Sequence, residues 1–144
     1  MSPEAVPVRP LPAQTASHFE LYLNALREGR IAAPACAACD TVLWPPRPVC
    51  SICGGITFVE HELSPAGTVY TCSIVRRAFH PWFAARVPYA IVVGDLGAGV
   101  RILGAMFGSD VESVACGSSV RAVIDSSGAV PVLEWRLDGT GASA

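Results

Sequence analysis

The sequence has no lysine; all ten basic residues are arginine, set against twelve acidic ones. Its net charge of −2, with only 15% charged residues, leaves no basic surplus of the kind that drives nucleic-acid binding through phosphate neutralisation. No stretch reaches the roughly 18 to 20 uninterrupted apolar residues of a membrane span. The opening Met1-Ser-Pro-Glu-Ala-Val-Pro7 lacks the basic and then apolar regions of a secretory signal, so a reducing cytoplasm is the expected compartment. No Ser/His/Asp or Cys/His set has the spacing of a nucleophile and its base, and the three histidines, at 18, 61 and 80, are scattered. An independent enzyme has no catalytic set to rest on. At 144 residues, 51% of them hydrophobic, the chain fits one ordinary domain, or a small module plus one. So large an apolar share needs covering, by an unusually complete core or by a partner.

Four of the six cysteines form two pairs, Cys36-Ala-Ala-Cys39 and Cys50-Ser-Ile-Cys53, separated by Asp40 to Val49. Two tight turns of this type can converge four thiolates on one tetrahedral ion, and zinc is favoured over a disulfide pair, a redox pair or unrelated thiols. A thioredoxin-type site would need one pair beside a βαβ pattern, which is missing. Each turn favours a residue tolerant of positive φ after its second cysteine; Asp40 and Gly54 hold those positions. Trp44-Pro45-Pro46-Arg47-Pro48 is too rigid and donor-poor for a helix, so a short extended hairpin is expected between the pairs. The result is a zinc ribbon holding one structural ion, because four thiolates leave no position for a catalytic water. Cys72 and Cys116 remain as reduced thiols.

Residues 1–14 carry prolines at 3, 7, 10 and 12 and read as an extended arm that orders on a partner. Ser17-His-Phe-Glu20 matches a capping box. Phe19, Tyr22, Leu23 and Leu26 follow at helical spacing, with Gly29 as the closing C′ residue of a helix over 17–28. Its apolar stripe must dock, either on the chain's own ribbon and barrel or on another subunit. Five β segments come after the ribbon: 68–78, 88–96, 99–107, 119–125 and 130–137. In the first, alternation puts Tyr70, Cys72 and Ile74 on one face. Val120, Ala122 and Ile124 point inward from the fourth, and Leu133, Trp135 and Leu137 share a side of the last. Glycine-rich turns and no intervening helical pattern indicate a small antiparallel barrel of OB type. The loop Phe79-His80-Pro81-Trp82-Phe83, with Arg77 and Arg86 near, exposes aromatics that ask for a partner or ligand unless they plug the barrel's own end.

This order, together with Cys36, Cys39, Pro45-Pro46-Arg47, Cys50, Cys53, Gly67-Thr68-Val69-Tyr70 and Pro88-Tyr89, resembles the acyl-CoA-associated zinc-ribbon/OB-fold family. Asp40 departs from the family's usual glycine. The resemblance implies a mainly β chain: an arm and amphipathic helix over 1–30, a rubredoxin-like zinc ribbon over 31–62, a five-stranded OB-fold barrel over 63–138, and a disordered tail over 139–144. It implies a non-catalytic accessory subunit that binds and completes a thiolase-fold enzyme acting on acyl-CoA thioesters, a group that includes thiolases and the retro-aldolases of steroid side-chain degradation. The pair would form a hetero-oligomer such as a heterotetramer, with acyl-CoA near the interface and Arg77, Phe79, His80, Trp82, Phe83 and Arg86 as contacts. The alternative is a single-strand nucleic-acid binder of the OB type, which needs basic residues interleaved with aromatics along one barrel face. From Ile91 onward, six acidic residues stand against three arginines, which repels phosphate.

Overall fold

A computed structural model describes residues 5–11 and 16–139; the expected tail, beyond Gly139, lies outside them. A 3-10 turn at Ser17–Phe19 leads into helix α1, Glu20–Arg27. The capping box does not form. The chain enters through the tighter turn, with the Phe19 amide on Ala16 O at 3.0 Å, so Ser17 sits inside the turn and caps nothing. The other end closes as expected. Gly29 takes φ +75, its amide reaches Leu26 O at 3.0 Å, and Arg30 N reaches Ala25 O at 2.9 Å, the bond pair of a Schellman motif.

Strand β1 (Ile31–Cys36) pairs antiparallel with β2 (Phe58–Leu63) and is buried along its whole length. Its alanines leave room for α1 to lie close against it. Tyr22 and Leu26 of α1, Ile31 and Ala33 of β1 and Leu63 of β2 join the barrel residues in one apolar cluster. The helix therefore docks on its own ribbon and barrel. Between the cysteine pairs the chain makes one bridge, Ala35 to Val42, with Leu43 N on Pro34 O at 2.8 Å. The expected hairpin shrinks to this, because the prolines after Trp44 cannot donate further ladder bonds.

The barrel is closed in the order β3-β4-β5-β7-β6, from β3 (Ala66–Val75), β4 (Tyr89–Asp95), β5 (Arg101–Met106), β6 (Ser119–Asp125) and β7 (Val132–Leu137). Val120, Ala122, Leu133 and Trp135 are buried inside it, with Ile124 and Leu137 packed against the same core. One face assignment needs correction. A bulge between Val69 and Thr71 breaks the alternation of β3, so Val69, Cys72 and Ile74 face the core while Tyr70 turns outward under Arg101, whose guanidinium lies 3.7 Å from the ring centre. At the centre of the core is Trp135. It occupies space that Gly94 and Gly104 leave free, since a Cβ on Gly94 would lie 2.3 Å from its ring and one on Gly104 2.9 Å. Its indole N–H donates to Ile102 O at 3.3 Å.

The arm also departs from expectation, because part of it orders on the barrel. Arg9 pairs with Asp125 at 2.7 Å and Glu134 at 2.5 Å, and its guanidinium lies 4.9 Å from the Trp82 ring centre. No helix among the described residues is long and apolar enough to cross a membrane.

Candidate functional site

The four ribbon cysteines meet at one point. Cys36 Sγ lies 3.5 Å from Cys53 Sγ, Cys39 Sγ lies 3.7 Å from Cys50 Sγ, and all four sulfurs fall within 4.8 Å of one another. Sulfurs about 2.3 Å from a tetrahedral zinc are roughly 3.8 Å apart, so the cluster fits the ion. Two matching turns build it. Cys36 N bonds Thr41 O at 2.9 Å and Cys50 N bonds Gly55 O at 2.8 Å, while Asp40 N and Gly54 N return to the carbonyls of Cys36 and Cys50 at 2.9 and 3.0 Å. Asp40 at φ 58 and Gly54 at φ 76 occupy the left-handed positions the spacing demands.

Two supporting residues are not apparent from the cysteine spacing. Thr41 Oγ1 lies 3.2 Å from Cys39 Sγ. Gly55 donates to Cys53 Sγ at 3.4 Å, and a Cβ there would lie 2.9 Å from Cys36 Sγ. The Gly54-Gly55 pair is the sequence signal for the second; for Thr41 a hydroxyl two residues past the cysteine is the cue. The Thr41 hydroxyl, then its amide, hold the Cys39 thiol down at about 6. Cys53, although the Gly55 amide pulls it down, is pushed up to about 12 by the thiols of Cys36 and Cys39. An ion that takes all four as thiolates must displace the protons they share, so metal binding releases protons and tightens as pH rises.

The aromatic segment is placed in two parts. Pro81–Ala84 form a one-turn helix, α2, capped by His80, whose Nδ1 accepts from Trp82 N at 3.2 Å. Trp82 and Phe83 fold back: Trp82 meets Phe83 at 4.9 Å and Phe107 at 5.7 Å, and Phe83 meets Tyr89 at 5.3 Å. Arg86 lies 3.7 Å over the Trp82 ring and donates to Trp82 O at 2.7 Å. This cluster sits outside the barrel core, so it does not plug the barrel. Phe79 instead projects, 91% exposed, with the Arg77 guanidinium 5.7 Å from its ring centre. Arg76 is engaged elsewhere, bonding both Glu112 oxygens at 2.7 and 3.0 Å. A second apolar surface, which no single stretch of sequence reveals, is a groove of about 470 Å³ between α1, the Trp44 loop and the barrel, where Phe19, Leu23, Trp44, Leu103 and Val132 meet.

On the barrel, Arg101 is tied to Asp95 at 3.0 Å and Arg121 to Asp138 at 3.5 Å. Arginines held by carboxylates have little to offer a phosphate backbone. Single-stranded oligonucleotides are expected to bind more weakly than about micromolar at physiological salt, without quenching tryptophan fluorescence. Submicromolar binding with a steep salt slope, read by anisotropy titration, would promote the OB nucleic-acid alternative.

A closed four-thiolate ribbon joined to a five-stranded barrel defines a zinc-ribbon/OB-fold protein. Family models agree: the ChsH2 rubredoxin-like zinc ribbon domain matches residues 23–58 and the ChsH2 C-terminal OB-fold domain matches residues 60–125. The chain belongs to this ChsH2 family. It is similar to a chain of the solved "Ltp2-ChsH2(DUF35) aldolase", with TM-score 0.78 and 23% identity, covering 88% of this chain and 98% of that one. A DUF35-family protein of unknown function from Sulfolobus solfataricus matches at TM-score 0.56 and 20% identity, covering 86% and 87% of the two chains. At these identities the likeness is one of fold. A probable enoyl-CoA hydratase alpha subunit from Thermomonospora curvata is 29% identical over 113 residues, 78% of this chain. The chain spans about a third of that relative, 34% of its length.

Proposed function

We propose that this chain is the zinc-ribbon/OB subunit of a hetero-oligomeric enzyme acting on acyl-CoA thioesters, docking on a thiolase-fold partner that carries the catalytic residues. The observation that carries the reading is the pairing of a zinc ribbon and OB barrel with large apolar features left at the surface, the projecting Phe79 and the groove beside α1. The solved relative, named as an aldolase of two components, and the hydratase named as an alpha subunit support it. Within the pair, Phe79, Arg77 and His80 face the partner near the entrance for the CoA thioester, and Trp82, Phe83 and Arg86 form the rigid base that presents them. The aldolase relative favours a retro-aldol reaction for the pair, and a steroid side chain as its substrate is what the family resemblance of the sequence implies.

The test is to recover the untagged chain at native level and identify what comes with it. A thiolase-fold protein is expected, and the isolated chain should turn over no acyl-CoA while raising the partner's activity or solubility. Robust retro-aldol, thiolytic or hydratase activity from the isolated chain would overturn the proposal. The split in the aromatic segment sharpens a second measurement. Phe79→Ala should weaken association by about 2 kcal/mol or more, as for a hot-spot aromatic, and leave the melting temperature of the isolated chain unchanged. Trp82→Ala should lower stability as well, because Phe83, Phe107, Arg9 and Arg86 lose their common contact. Unaltered association in Phe79→Ala, measured by calorimetry, removes this loop from the interface.

A further inference from the structure

The ribbon sheet has an open edge. Among the described residues no strand lies beside β2 except β1, whose own far side carries the Val42 bridge. Which backbone groups face that edge follows from the end of the ladder. Ala37 N bonds Thr57 O at 2.9 Å, so in this antiparallel register the bonded pairs are Ala35 with Val59, Ala33 with His61 and Ile31 with Leu63. The residues between them turn outward. Cys36 N on Thr41 O at 2.9 Å and Leu43 N on Pro34 O at 2.8 Å show this for β1. On β2 the N–H and C=O groups of Phe58, Glu60 and Glu62 therefore point away from β1, and no described residue bonds them. The strand runs without bulge or proline, and Val59, Glu60, His61 and Glu62 are exposed. Only charge guards it. Glu60 and Glu62 lie on one face with Glu28, around Arg30, which is 2.8 Å from Glu60 and 3.8 Å from Glu62 and also pairs with Glu28. Three carboxylates against one guanidinium leave this face negative.

We propose that β2 is a docking edge, on which an extended basic segment of the partner subunit adds as a third strand of the ribbon sheet. The proposal rests on the reading of this chain as one subunit of a hetero-oligomer. The segment bonds the backbone of Phe58, Glu60 and Glu62, and sets arginine or lysine across from the two glutamates. An apolar side chain at an alternate position covers Val59, which is 51% exposed. A second copy of this chain does not fit. Antiparallel self-pairing through the outward groups would set Glu60 opposite Glu60 or Glu62, and like charges directly opposed are destabilising.

The test is amide hydrogen exchange, residue by residue, on the free chain and on the complex recovered with the untagged chain at native level. In the free chain Phe58, Glu60 and Glu62 should exchange rapidly, while Val59 and His61, bonded to β1, are protected. In the complex those three amides should slow by about tenfold or more. Glu62→Pro removes one outward N–H and no bond to β1, as Pro34 does in the facing strand. It should keep the free chain's zinc and melting temperature and weaken association about tenfold, more than Glu62→Gln, which removes the charge alone. Exchange in the wild-type complex needs no variant. A complex whose three edge amides stay in fast exchange overturns the docking edge and leaves the subunit reading standing. A chain that brings down no partner overturns both. Protection that appears in the free chain as its concentration rises puts a second copy on the edge, and overturns the proposal too.

Discussion

Replacing Cys36 with serine should abolish zinc binding and unfold the ribbon. Cys36 is fully buried, shares the sulfur cluster with Cys53, and stands against Gly55 with no room for rearrangement. Structural zinc sites contribute on the order of 10 kcal/mol, comparable with the whole stability of a small domain, so three remaining thiolates cannot hold the same fold. The damage should spread beyond the ribbon. A core separate from the barrel would let the barrel survive untouched, but β1 and β2 supply Ile31, Ala33 and Leu63 to the cluster that also holds Tyr22, Leu26 and the barrel residues. Release of α1 should therefore accompany metal loss, and Trp44, which meets Tyr22 edge-on at 4.9 Å, reports it through its fluorescence. Elemental analysis is expected to give one zinc per wild-type chain and none in the variant. Iron in place of zinc, or a variant that keeps its metal, would contradict this reading.

Trp135→Ala should cost about 3 to 5 kcal/mol, among the largest effects a single truncation produces. The side chain is completely buried, and the void it leaves is walled by Gly94 and Gly104, which have no side chains to collapse into it. Ile102 O also loses its indole donor. The opposite change, Gly94→Ala, should be destabilising for the opposite reason, since the new methyl would lie 2.3 Å from the ring. The two substitutions are then coupled: in the Trp135→Ala background the Gly94 methyl enters an emptied space and its cost should vanish or change sign. Urea unfolding of the four proteins measures the cycle, and strict additivity would show that the glycines do not exist to seat this ring.

Features written in local spacing are legible in the sequence itself. Two Cys-x-x-Cys pairs specify a four-sulfur site because each turn is only a few residues long, and Asp40 and Gly54 mark its left-handed positions. Gly29 ends α1 as its place predicts. Hydrophobic alternation locates the five strands, since side chains on a pleated strand repeat every two residues. Local rules fail where they compete with packing. Ser17 has the sequence of a cap but winds into a 3-10 turn, and Tyr70 has the parity of a core residue but falls on a bulge.

By itself, the sequence determined the four-cysteine zinc ribbon and the order of helix, ribbon and barrel, because these depend on residue identity and near spacing. The tertiary structure alone decided what depends on contacts between distant segments. It put Arg9 on Asp125 and Glu134, seated Trp135 between Gly94 and Gly104, and divided Phe79 from Trp82 and Phe83. The physical reason is that closing a barrel joins strands far apart in the chain, and no periodicity within one strand encodes which neighbour will fill the space beside it.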